Sequence, residues 1–319
     1  MEGLEIVCDE SGYEGEKLID TTTDVFAHAG VHLPAAVAAD CLADLRRRIR
    51  SPATQYKATH LLREKHRAVL VWFLGPSSPL FRNAHVYVID KAYFLLGKLT
   101  DLFLADPAAI GLSRDSEARS ASDRLYQRIT PGGSEQARPG VHGFLVAANN
   151  LMRGKDRHDV HGPVNAFFDA TTDGLTTGLG RDKAEAYRVR LRDDPTLSVV
   201  DPLVPALVRV VARWGRGGRP VTIVHDRQTM LPAERVAGLQ RLLRHAGLVL
   251  ARVELAAAES EPRVQLADIL AGTVRKIAQD ELHGRGDQEL TTLARPYLDP
   301  YSIWGDRRSW ASLAGAAAG

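Results

Sequence analysis

Two short apolar runs, far apart in the chain, are each closed by an aspartate: Ile6-Val7-Cys8 by Asp9, and Thr222-Ile223-Val224-His225 by Asp226. Runs of this length bounded by turn residues read as strands. In open α/β sheets, ligands and reactive groups gather at the carboxyl ends of strands, where loops leave side chains reachable and strands hold them still. If the two strands are neighbours, their carboxylates meet. An Asp after a strand also serves in turns and caps, so neither acid decides the matter alone.

The surrounding pattern is mixed α and β. Leu4 to Cys8 reads as a first strand and Val25 to Leu33 as a second, antiparallel to it across a modest connection. Pro34 can start a helix, and Ala35 to Ile49 carries Val37, Cys41, Leu42, Leu45 and Ile49 at helical spacing before an arginine-rich end. Lys65 to Leu74 is helical, Ala84 to Asp90 a strand ending in an acid, and Lys91 to Leu104 helical again. Pro220 to His225 is a buried strand, Pro232 to Gly247 an amphipathic helix with a glycine cap, and Leu248 to Leu255 another strand. Pro262 then leads into a long helix, Val264 to Leu282, stopped by Gly284.

Between these blocks Gly, Pro, Arg, Ser and Asp become frequent, and Ala184 to Leu191 and Leu203 to Trp214 look helical. We read residues 105–218 as a mainly helical insertion in a discontinuous core formed by 1–104 and 219–283, followed by a tail at 284–319. Residues 114–219 hold 17 Lys and Arg against 13 Asp and Glu. The arginines among them (Arg114, Arg119, Arg124, Arg128, Arg188, Arg190, Arg192) could grip a phosphate backbone, although the interspersed acids favour an ordinary solvated surface. The insertion serves equally well on paper as a substrate clamp or as the dimer surface of a homo-oligomer.

The whole chain carries 41 Lys and Arg against 39 Asp and Glu, a net charge of +2, so no global argument for a polyanionic partner exists. Two cysteines are too few for a disulfide framework, no apolar run approaches the roughly 20 residues of a membrane span, and the acidic start lacks the look of an export signal. The expectation is a soluble, cytoplasmic protein with no membrane partner. Motifs for P-loop nucleotide binding, Rossmann dinucleotide binding, the serine nucleophile elbow and the His-Glu-x-x-His zinc site are absent.

Asp268 is the third acid out of place. It lies in Val264-Gln265-Leu266-Ala267-Asp268-Ile269-Leu270-Ala271-Gly272, apolar on nearly every side of a helix, which is the pattern of a buried helix. A buried carboxylate must be protonated, paired with a cation or bound to a metal. The alternative to a metal is pairing to an arginine or a helix cap. Gln265 one turn earlier and Gly272 one turn later put a polar group and a close backbone approach beside the acid. If all three aspartates converge, their repulsion calls for a divalent cation, and Mg²⁺ or Mn²⁺, with oxygen ligands and open positions for water and phosphate, suits phosphodiester hydrolysis.

Asp9-Glu10-Ser11-Gly12, the strand ending in Asp226 and the segment Gln265 to Gly272 together resemble the bacterial and phage proteins grouped as domain of unknown function 3800. The resemblance covers residues 4–104 and 219–282. It implies a ribonuclease-H-like fold, an α/β mixed sheet flanked by helices, with Asp9, Asp226 and Asp268 as catalytic, metal-binding acids of a nuclease acting on RNA, DNA or a hybrid. Relatives often carry an acid before a Lys after the first helix, where this chain has Thr54-Gln55-Tyr56-Lys57. Gln55 supplies no carboxylate and ligates only weakly through its amide oxygen, so a second metal would be poorly held or Glu10 or Glu64 would serve instead. Lys57 could hold a substrate phosphate as a point charge, against the reading of a plain surface lysine.

His225 beside Asp226 is a candidate proton shuttle, yet strand alternation points it to the opposite face. His142, His158 and His161 could suggest a metal site but read better as solvated histidines. Glu10, Lys57, Gln265 and His225 therefore stand behind the three aspartates. Two other functions use the same residues: a non-catalytic nucleic-acid-binding or assembly module, and a hydrolase of a small phosphorylated molecule.

Overall fold

The computed structural model describes residues 3–50, 56–109, 111–130, 140–170, 180–194, 199–227, 231–258 and 260–315. Gln55 lies outside them. The five strands are β1 (Leu4–Ser11), β2 (Val25–Val31), β3 (Ala84–Asp90), β4 (Val221–Asp226) and β5 (Leu250–Ala256). They form one mixed sheet in the order β3-β2-β1-β4-β5. β1 is central, antiparallel to β2 and parallel to β4, while β3 is antiparallel to β2 and β5 parallel to β4.

Side-chain alternation along these strands sorts the molecule into layers. Ile6 and Cys8 of β1, Phe26 of β2 and Ile223 of β4 enter one hydrophobic core. Its other side comes from α4 (Lys91–Leu104), α6 (Val141–Met152), α7 (His161–Asp169), α8 (Arg181–Asp193) and α9 (Leu203–Trp214). The helices between β3 and β4 thus share one core with the sheet, and α5 (Ser116–Ile129) joins them through Tyr126 and Ile129. Ala27 and Ala29 of β2 and Val86 of β3 face the other way, onto α1 (Ala35–Ile49), α3 (Arg67–Leu74) and α11 (Pro262–Leu282). α10 (Ala233–His245) lies against β5.

α11 starts as its sequence dictates, with Pro262 in the first turn and the Glu261 side chain capping the Arg263 amide. Arg263 also holds Glu5 of β1 at 2.6 Å, and Arg275 donates to Ser11 at 3.0 Å, so the helix runs alongside β1 from its start to its end.

The tail is packed. Asp299 and Ile303 donate their amides to Val86 and Val88, and Asp90 donates its own to Ile303. This segment covers the outer edge of β3, which would otherwise offer unpaired backbone groups. Helices α12 (Gln288–Ala294) and α13 (Arg307–Ala314) close over α11.

One expectation for the insertion changes. Arg188 is fully buried and donates to four carbonyls, those of Leu151, Arg153, Asp156 and Asp159, so it pins the loop between α6 and α7 and is out of reach of any phosphate. Arg114, Arg119, Arg124, Arg128, Arg190 and Arg192 are exposed, the last paired with Asp193. His158 and His161 are exposed, and His142 pairs with Asp20. Among the described residues no helix is long and apolar enough to cross a membrane.

Candidate functional site

Cys8 of β1 is in register with His225 of β4, which sets Asp9 and Asp226 side by side where the pairing of these parallel strands ends, β1 itself running on to Ser11 against β2. The two acids make the same local contact: Asp9 accepts the amide of Glu10, and Asp226 the amide of Arg227, each at 2.8 Å. Alternation turns both toward the face covered by α11, where Val7 and Val224 meet Val264. Asp268 lies one turn further along that helix, and its charge is felt by Asp9.

The cluster is electrostatically costly. Asp9 is 6% exposed, and burial, followed by the charges of Glu10, Asp268 and Asp226, pushes its carboxyl up to about 9. Burial also raises Asp268, but the Lys57 ammonium opposes the rise from 2.8 Å away. For Lys57 itself, partial burial is outweighed by the ion pair with Asp268 and the charges of Asp9 and Asp226, so its ammonium form is favoured. Lys57 is therefore a cation of this site and not a plain surface lysine, although its side chain keeps 56% exposure against 19% for Asp268.

A glycine explains how Lys57 arrives there. Lys57 precedes the short helix α2 (Ala58–Leu61), and Ala58 rests on α11 at Gly272, one turn past Asp268. A methyl group on Gly272 would come within 2.6 Å of the Ala58 Cβ. The missing side chain lets the two backbones approach, and the residue before Ala58 then reaches Asp268.

The supporting residues separate. Gln265 turns its amide nitrogen to the Ala258 carbonyl at 2.9 Å and buries its Oε1 without a hydrogen bond. Glu10 and His225 lie on the other face of the sheet, where His225 Nε2 is 3.4 Å from Glu10 Oε2 and 3.0 Å from His28 Nε2. The Asp226 carbonyl, 3.1 Å from His225 Nδ1, can only accept, so Nδ1 carries a proton. Burial, then the neighbouring His225 and His85, holds His28 well below the usual histidine range and hence neutral. The two Nε2 atoms of His28 and His225 face each other in this contact, and one of them must donate to the other. His28 was not singled out from the sequence, where a histidine inside the apolar stretch Val25 to Val31 was the available signal. Glu64 is exposed in the turn after α2.

A third strand-ending acid shows the plainer use of such residues. Asp90 closes β3, and its Oδ1 accepts the amide of Tyr93, capping α4. Among the described residues no group of three His, Cys, Asp or Glu side chains is arranged to hold a metal ion. A hard divalent cation suits the chemistry of three coupled carboxylates, but they do not form a ready cage. No protein-family model matches the sequence, and no curated protein and no solved structure matches it.

Proposed function

We propose that this protein is a metal-dependent phosphodiester hydrolase acting on nucleic acid, on a ribonuclease-H-like sheet. The carrying observation is the grouping of Asp9, Asp226 and Asp268 from β1, β4 and α11, with Asp9 held protonated up to about pH 9 by burial and by its acidic neighbours. Strongly shifted carboxylates concentrate at functional sites, and a cluster of them gains from a bound cation. Mg²⁺ or Mn²⁺ would supply a polarised water and charge neutralisation at a phosphate. Asp9 and Asp226, fixed by rigid strands, would hold it from the sheet side, and Asp268 from the helix.

The exposed cations on either side of Lys57 in the chain, Arg50, Arg63 and Lys65, support a polyanionic substrate. The decisive test is Mn²⁺-dependent cleavage of labelled RNA, DNA and hybrid by the wild type and by the Asp9→Asn and Asp268→Asn variants, with circular dichroism checking their fold. Cleavage by the wild type that both folded variants lose is expected. Equal cleavage by all three rejects the assignment.

The ion pair between Lys57 and Asp268 favours a second reading, in which the same face binds nucleic acid without cutting it. In that case an oligonucleotide binds with a salt-dependent affinity, and divalent cations change neither binding nor the strand.

A further inference from the structure

We infer that the outer edge of β5 is a self-association surface, along which a second copy of this chain lays its own β5 antiparallel and makes the two sheets continuous.

The two ends of the sheet are finished differently. At one end the tail hydrogen-bonds β3 and covers it. At the other, among the described residues, the β5 backbone is bonded by β4 on its inner side and otherwise by one side chain, the Gln240 amide, which donates to the Leu250 and Ala251 carbonyls at 3.2 and 3.0 Å. From Arg252 to Ala256 the outer edge is open. An open edge is a template for one more strand. Its surroundings are also apolar for a surface: Leu255 is half exposed, and Leu242 of α10 and Val249 just before β5 are exposed as well.

The pattern of β5 identifies the strand that fits. Arg252 and Glu254 are both exposed on one face of the sheet, 2.6 Å apart. A two-fold axis through the edge, perpendicular to the sheet, keeps each face on its own side, so opposed residues must share a face and the axis must pass a single residue. Centring on Arg252 opposes two arginines, and centring on Glu254 opposes two glutamates. Centring on Val253 sets each Arg252 opposite the Glu254 of the second copy. This happens twice, and the pair already present in each strand becomes half of a square of alternating charges. Leu255 then falls opposite Ala251, whose small side chain leaves it room. Opposite charges facing across a strand pair stabilise it and like charges weaken it, so β5 is complementary to itself in one register.

The test is sedimentation velocity of the full-length protein over a concentration series, with neither metal nor substrate, so that its outcome is separate from that of the cleavage assay. It compares the wild type, Arg252→Glu, Glu254→Arg, the double swap Arg252→Glu/Glu254→Arg and an equimolar mixture of the two single variants, with circular dichroism checking each fold. The wild type is expected to dimerise. Each single variant opposes like charges at both pairs and should weaken the dimer at least roughly tenfold. The double swap restores both pairs and should return close to the wild type. The mixture should give heterodimers, because each single variant supplies the charges that the other lacks. A wild type that stays monomeric at every concentration overturns the proposal, and so does a dimer that both single variants leave unchanged. Loss in the single variants with recovery in neither the double swap nor the mixture overturns it too, whereas recovery in either supports it. Where one single variant fails to fold, the other and the double swap still decide.

Discussion

Gly272 of α11 and Ala58 of α2 touch so closely that the Cβ glycine lacks would lie 2.6 Å from the alanine Cβ. This contact between a helix late in the chain and a single turn early in it sets the distance between Lys57 and Asp268. Because neither backbone can yield without moving its helix, the contact works as a fixed stop.

Replacing Gly272 by Ala should lift α2 from α11. Overpacking of this kind costs about 1–3 kcal/mol, and the loss is read as a lower midpoint in urea unfolding with an unchanged slope. The Lys57–Asp268 pair should open at the same time, so a further Lys57→Met change on this background should cost less than it does alone, which a double-mutant cycle measures.

Asp9 should make stability fall as pH rises. Its carboxyl titrates near 9 in the folded protein against the ordinary 3.8, so from pH 4 to 9 the unfolded chain has already lost a proton that the folded one keeps. The contribution is fully present below the ordinary value and is lost as pH climbs through the folded one. Asp9→Asn removes this dependence, and its melting temperature should overtake that of the wild type increasingly between pH 5 and pH 8. A wild-type minus variant difference that stays flat over that range refutes the assignment of Asp9 as the strained acid.

Gly12 follows the strand that carries Asp9 and adopts φ +79°, with the Val25 carbonyl 2.4 Å and the Thr23 hydroxyl 2.7 Å from where a Cβ would be. Gly12→Ala therefore meets both backbone strain and a clash with backbone, and it should destabilise the protein by about 1–3 kcal/mol in chemical denaturation.

Arg188→Met should uncouple the loop between α6 and α7. It leaves the carbonyls of Leu151, Arg153, Asp156 and Asp159 without their common donor. A loss of about 3 kcal/mol is expected, since buried acceptors deprived of a charged donor keep their desolvation cost. Limited proteolysis should then cut between residues 153 and 160 sooner than in the wild type. Arg188→Lys should rescue little, because one ammonium cannot reach what a planar guanidinium spans.

The parts of the fold that were legible in the sequence share one property. Ala35–Ile49, Ala84–Asp90, Lys91–Leu104 and Leu203–Trp214 have the same limits in both readings, because spacing of apolar residues, prolines at helix starts and acids at strand ends act over a few neighbours. The same local logic pointed to Asp9, Asp226 and Asp268 and placed His225 on the reverse face. α5, α6 and α7 had weaker local patterns within a Gly- and Arg-rich stretch, and their burial against the sheet defines them more than their periodicity does.

Other features depend on residues that meet only after the chain has closed on itself. Nothing near Lys57 announces Asp268, nothing near Arg188 announces four converging carbonyls, and nothing in the last stretch announces the open edge of β3. Strand parity turned Glu10 away from Asp9 to His225, although the two acids are adjacent in sequence. Local pattern selects a helix or a strand because the competing hydrogen bonds and side-chain contacts are local. Which charges end up face to face depends on how whole elements stack, and a single glycine at Gly272 moves that stacking without altering any helix around it.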